Sequence, residues 1–153
     1  MLEARGKRLK SLVIFGSSIY SPLKARDVDL LVVTDRIADA DEKCALEFEI
    51  ARALRAVHPK MPIDIIVFDE CSFRENLEPG TLLSGLIAGY EIIYDELGLN
   101  DLIVELAKSI ASSEYIVQKS GKRINLSALA RARLRALGAG FAEKREQDEI
   151  HQD

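Results

Sequence analysis

"VIFGSSIYSPLKARDVDLLVVTD" (residues 13–35) holds two apolar runs, and a Gly-Ser pair closes the first while Asp27 and Asp29 open the second. The runs "SLVIFG" (11–16) and "DVDLLVV" (27–33) are short, β-branched and bounded by turn formers, so both predict strands. The ten residues between them (17–26) leave little room for a crossover helix, so these strands are expected to be antiparallel or part of a mixed sheet. Side chains repeat direction every second residue of a strand, which places Asp27 and Asp29 on one face, roughly 7 Å apart. Two carboxylates held so close repel each other unless something neutralises them, and a divalent cation is the usual answer. Mg²⁺ takes oxygen ligands, binds through one or two carboxylates, and shares the rest of its shell with phosphate and water.

A third carboxylate comes from "PIDIIVFD" (62–69), where Asp64 interrupts an apolar strand much as Asp29 interrupts its own. Asp69 lies five residues further on and so faces the other way. Asp35 shares the parity of Asp29 but lies roughly 20 Å down the strand. Taken singly, each of Asp27, Asp29 and Asp64 also reads as a solvated strand end; together with the Gly-Ser turn they read as a site. Gly16 lets the backbone approach a bulky anion, and the amides and hydroxyls of Ser17 and Ser18 can donate to phosphate oxygens.

Around this stretch, "ADEKCALEFEIARALRAV" (40–57) predicts a helix with an apolar stripe at Leu46, Ile50, Ala53, Leu54 and Val57, stopped before Pro59 and Pro62. A short helix over 80–88 ends at Gly89, "YEIIYD" (90–95) is a fourth strand, and a helix follows over about 97–111. "EYIVQKSGKRINL" (114–126) predicts a hairpin turning at Ser120-Gly121, and a last helix opens near Asn125 or Ser127, with Gly138 ending or interrupting it. The fold class is therefore α/β: a small mixed β-sheet with helices packed on one face, plus a C-terminal β-hairpin and helix.

At 153 residues the chain suits one domain with its own core, and 48% hydrophobic with 30% charged residues is the composition of a soluble globular protein. A net charge of −4 argues against wholesale coating of nucleic acid. No apolar run approaches the roughly 20 residues of a membrane span. Cys44 and Cys71 are expected to be reduced and buried, and the protein cytoplasmic. His58 and His151 have no partners at ligand spacing, which argues against a histidine metal site.

An apolar strand ending in Gly16-Ser17, nine residues (18–26), then Asp27-Val28-Asp29-Leu30 resembles the signature of the DNA polymerase β-like nucleotidyltransferase superfamily, and the chain's size resembles its minimal members. The resemblance covers roughly residues 11–95, and "PIDIIVFD" after a helix strengthens it. It implies the nucleotidyltransferase fold, taken over residues 1–113; the hairpin and helix of 114–153 lie outside the match and are expected as an extension packed on the same domain. It further implies transfer of a nucleoside monophosphate from an NTP, with ATP the preferred expectation, to an acceptor hydroxyl, with release of pyrophosphate. Gly16 and Ser17 would hold the triphosphate; Asp27 and Asp29 would hold two Mg²⁺ ions that arrive with the NTP; Asp64 would complete the ion that lowers the acceptor's pKa. The family often carries Arg directly after Gly-Ser, a Gly a few residues on, and Ser before the first Asp; here Ser18, Ser21-Pro22 and Arg26 stand in those places. Lys24 or Arg26 would then supply the missing positive charge, although each reads first as a solvated loop charge.

Minimal members often pair with a small helical protein encoded nearby, sometimes adding AMP to it, which makes such a partner an expectation here. The alternative is a non-catalytic, antitoxin-like nucleotide-binding module acting through a partner. Lys119, Lys122, Arg123, Arg131, Arg133 and Arg135 oppose Glu114 alone over 114–137, a stretch read as a solvated helix ahead of a grip on RNA or triphosphate. Tyr20 either stacks on a base or covers the loop. The acceptor and any homo-oligomer stay open.

Overall fold

The computed structural model describes residues 2–119 and 121–150; Ser120 and His151 lie outside the described residues. Strand β1 (Leu9–Phe15) runs into a one-turn helix α1 (Ser17–Tyr20), and β2 (Val28–Thr34) returns antiparallel to β1 with Phe15 opposite Asp29 and Val13 opposite Leu31. Helix α2 (Ala40–Val57) then carries the chain over to β3 (Ile63–Asp69), which pairs parallel with β2, as a crossover of this length permits. The short α3 (Glu70–Glu75) and a 3-10 segment (Leu82–Ala88) lead to β4 (Tyr90–Asp95), antiparallel to the other edge of β1. The sheet order is β3-β2-β1-β4, the mixed sheet expected. Helix α4 (Leu99–Ala111), the hairpin β5 (Ile116–Lys119) and β6 (Lys122–Asn125), and α5 (Leu126–Ile150) complete the chain.

Helices cover both faces of the sheet, which corrects the one-face expectation. Val13, Phe15, Leu31 and Val33 pack with Phe73 of α3, the 3-10 segment, α4, and Leu126 and Ala130 of α5. Leu30, Val32 and Val67 pack on the opposite face against Leu46 and Ile50 of α2. The reason is visible in β2, where Leu30, Leu31, Val32 and Val33 are all buried. A strand apolar without alternation is one buried on both sides. Within α2, Leu46, Ile50 and Leu54 join that core, whereas Ala53 and Val57 near its end are exposed.

Local chemistry sets the element ends. Asp39 caps α2, accepting from the Glu42 amide at 2.8 Å, while Glu42 reaches back to the Ala38 amide at 2.6 Å. Asp69 caps α3 by accepting from the Ser72 amide at 2.7 Å, and Asn125 accepts from the Ala128 amide at 2.9 Å at the start of α5. The buried Ser127 hydroxyl accepts from the Tyr115 amide and donates to the Ile110 carbonyl, both at 2.8 Å, tying the root of the hairpin to α4. Helix α5 runs through Gly138, contrary to the stop expected there; each of Gly138 and Gly140 costs only about 1 kcal/mol among good helix formers. Cys44 and Cys71 are exposed free thiols, contrary to the burial expected of them. Both lie on helices, away from the faces that Leu46 and Ile50 of α2 and Phe73 of α3 turn to the core.

Candidate active site

The site forms where three strand ends meet. The Val28 amide donates to the Pro62 carbonyl at 3.0 Å, which fixes the start of β2 beside the start of β3. Asp29 and Asp64 then stand directly opposite each other in the parallel register. In-register side chains point to the same face, so the geometry brings these carboxylates side by side from strands far apart in sequence. Asp27 immediately precedes β2, and all three carboxylates line one cleft of about 710 Å³. Asp27 and Asp29 are half-buried and Asp64 is exposed. The rejected acidic residues have structural work elsewhere: Asp69 caps α3, and Asp35 accepts from the Arg8 amide at 3.1 Å.

Gly16 lies at φ +80°, ψ −156°, a region open essentially to glycine alone. A Cβ built there would overlap Oδ2 of Asp29, so the bare backbone of the turn is what leaves room for that carboxylate. Ser17 lines the cleft with Ser21 and Tyr20. The Ser18 hydroxyl instead donates to the Phe15 carbonyl at 3.4 Å, and Ser18 is absent from the cleft lining. Lys24 and Arg26, from the loop before Asp27, do line it.

Two further lining residues, Lys122 and Ile124, come from β6. The sequence stretch that resembles nucleotidyltransferases ends well before them; Lys122 belongs to the basic stretch read first as solvated, and nothing in the sequence marks Ile124 as a site residue. Two other cations of that segment are engaged elsewhere. Arg131 donates to the Ala111 carbonyl at 3.1 Å and pairs with Glu114 at 3.2 Å, and the Arg133 guanidinium lies 5.1 Å from the centre of the Tyr90 ring. Among the described residues, no salt bridge uses Lys24, Arg26 or Lys122.

Among the described residues, no three His, Cys, Asp or Glu side chains converge into a ready-made metal cage. The donor set here is carboxylate oxygen only, which suits a hard cation and not zinc. Mg²⁺ shares its shell with phosphate and water, so an open wall bearing Asp27, Asp29 and Asp64 fits that ion, whereas a closed protein cage does not describe how it binds.

No family model matches the chain, and no curated protein matches it. Solved structures of toxin–antitoxin systems do. A chain from a mutant of the toxin–antitoxin MntA-HpeT shares 18% identity over 72% of this chain and 78% of its own, with a TM-score of 0.45. A chain from the toxin–antitoxin with AMP-PNP shares 14% identity over 97% of this chain and 91% of its own, at 0.43. A chain from tri-AMPylated Shewanella oneidensis HEPN toxin in complex with MNT antitoxin shares 14% identity over 93% and 82%, at 0.38. These scores are too low to carry a functional argument, so function is read from the side chains of the cleft. Among the described residues no helix is long and apolar enough to cross a membrane.

Proposed function

We propose that this chain is a Mg²⁺-dependent nucleotidyltransferase that moves a nucleoside monophosphate from an NTP, ATP first among them, to an acceptor hydroxyl. The observation that carries the reading is the in-register placement of Asp29 and Asp64 beside Asp27 in a cleft that also holds Ser17, Lys24 and Arg26. The Gly16-Ser17 and Asp27-Val28-Asp29 spacing, with its resemblance to nucleotidyltransferases, supports it independently. Asp27, Asp29 and Asp64 would hold the metal. Bound there, Mg²⁺ lowers the acceptor hydroxyl's pKa and balances charge developing on phosphate. The Ser17 hydroxyl donates to a phosphate oxygen, while Lys24 and Arg26 offset the anionic tail. The acceptor oxygen bonds to the α-phosphorus as the bond to pyrophosphate breaks, and the hydroxyl proton leaves to solvent.

The acceptor we propose is a hydroxyl on a small helical partner protein, as the resemblance implies, in the cytoplasm, where two exposed free thiols persist. One observation favours the non-catalytic alternative, a nucleotide-binding module acting through such a partner: the Ser18 hydroxyl, an expected phosphate donor, is turned to the Phe15 carbonyl and away from the cleft. Incubation with each labelled NTP and Mg²⁺, with and without the product of a neighbouring gene, separates the two. Label transferred by the wild type and lost in the Asp27→Ala/Asp29→Ala variant is the expected result. Mg²⁺-dependent binding without transfer in any combination would favour the module, and no binding at all would sink both.

A further inference from the structure

A second cavity, of about 260 Å³, adjoins the cleft and shares Tyr20 and Ile124 with it. Its walls are mainly apolar: Phe15, Leu82, Val117 and Ile124, with Gly85 of the 3-10 segment and the backbone of Gly16. Gly16 belongs to both sides, since it packs against the Asp29 carboxylate and also lines this slot. The hairpin supplies the outer wall. Lys122 and Ile124 are two residues apart on β6 and so share a strand face, and Val117 stands opposite Ile124 on β5. One face of the hairpin thus presents a cation to the carboxylate cleft and two aliphatic side chains to the slot.

We propose that the β5–β6 hairpin completes the nucleotide site, with Lys122 binding the polyphosphate and the slot between Val117, Ile124, Tyr20 and Leu82 taking the nucleobase. This rests on the nucleotidyltransferase reading. The polarity of the adjacent cavities matches one ligand class: an anionic tail for Ser17, Lys24, Arg26 and Lys122, and a flat aromatic ring for the apolar end. An aromatic side chain of a protein acceptor is the competing occupant of the slot. The base is favoured because the slot lies beside the cleft, with Tyr20 and Ile124 common to both walls, which puts the two within reach of one nucleotide.

The test is calorimetric binding of ATP and of inorganic tripolyphosphate, each with Mg²⁺, to folded wild type and variants. Lys122→Ala should weaken both probes by roughly tenfold, the worth of one charge-assisted contact. At Gly85 an added Cβ meets nothing within 4 Å, so a Gly85→Leu side chain has room to start there and narrows the slot, with folding checked by circular dichroism. It should weaken ATP at least about tenfold and leave tripolyphosphate unchanged. Ile124→Ala, checked by circular dichroism, should weaken ATP selectively as well. If the wild type binds both probes while Lys122→Ala is neutral, or Gly85→Leu leaves ATP untouched and lowers only transfer to an acceptor, the inference falls and the parent reading stands. If the wild type binds neither probe, both fall.

Discussion

Replacing Gly16 with alanine should damage the site more than the fold. The backbone there sits at φ +80°, ψ −156°, and a Cβ would overlap Oδ2 of Asp29. Holding a non-glycine residue in that region costs about 1–3 kcal/mol, and relieving the overlap pushes either the turn or the carboxylate away. At the upper end, a cost of about 3 kcal/mol lowers Tm by roughly 6–12 °C in a domain of this size. Displacing a catalytic group by about 1 Å costs on the order of a hundredfold in rate. Gly98 is the matched control: it also has a positive φ, of +70°, but a Cβ there meets nothing within 4 Å. Gly98→Ala should lose about 1–2 kcal/mol and retain nucleotide binding and transfer. The assay pairs thermal unfolding with Mg²⁺-dependent NTP binding and label transfer for both variants. A Gly16→Ala protein that unfolds no earlier than Gly98→Ala and transfers label at the wild-type rate would refute the claim that this glycine makes room for Asp29.

Ser127→Ala removes a buried hydroxyl that pairs with both the Tyr115 amide and the Ile110 carbonyl, so urea denaturation should show a loss of about 2 kcal/mol. A loss below about 0.5 kcal/mol would show that water takes over both partners. Thr34 is fully buried with no partner for its hydroxyl among the described residues, so Thr34→Val should be neutral or stabilising by up to about 1 kcal/mol in the same assay. The Cys71 thiol is exposed, and the charge of Glu75, with a hydrogen bond to it, pushes its pKa above the usual thiol value. A raised pKa means less thiolate at pH 8, so Cys71 should alkylate more slowly than a model thiol and faster after Glu75→Gln, read by peptide mass spectrometry. Equal rates before and after would remove Glu75 as the cause.

What could be read from the sequence was whatever lay in local pattern. Strand parity set Asp69 apart from Asp64, strand rise set Asp35 too far from Asp29, and the structure finds Asp29 and Asp64 as register partners. The short link between the first two strands implied an antiparallel pair, and the order β3-β2-β1-β4 contains it. The unbroken "LLVV" of β2 also carried a signal of burial on both faces, which the one-face expectation overlooked. Other features were not local. Lys122 and Ile124 enter the cleft only because the Ser127 bridge and the packing of α5 on the common core fold the hairpin back over it. The exposure of Cys44 and Cys71 follows from which helix face meets the sheet, and a lone cysteine between polar neighbours does not report that. The turning of Ser18 toward the Phe15 carbonyl follows the positive-φ turn at Gly16, a geometry that residue type alone does not specify.

The most direct test of the carboxylate centre is a crystal of the protein grown with Mn²⁺ and a non-hydrolysable ATP analogue, examined for anomalous scattering. The account predicts manganese between Asp27, Asp29 and Asp64, bridged to phosphate oxygens, with the base against Val117 and Ile124. Nucleotide bound with no manganese at those carboxylates, or manganese held elsewhere, would contradict it.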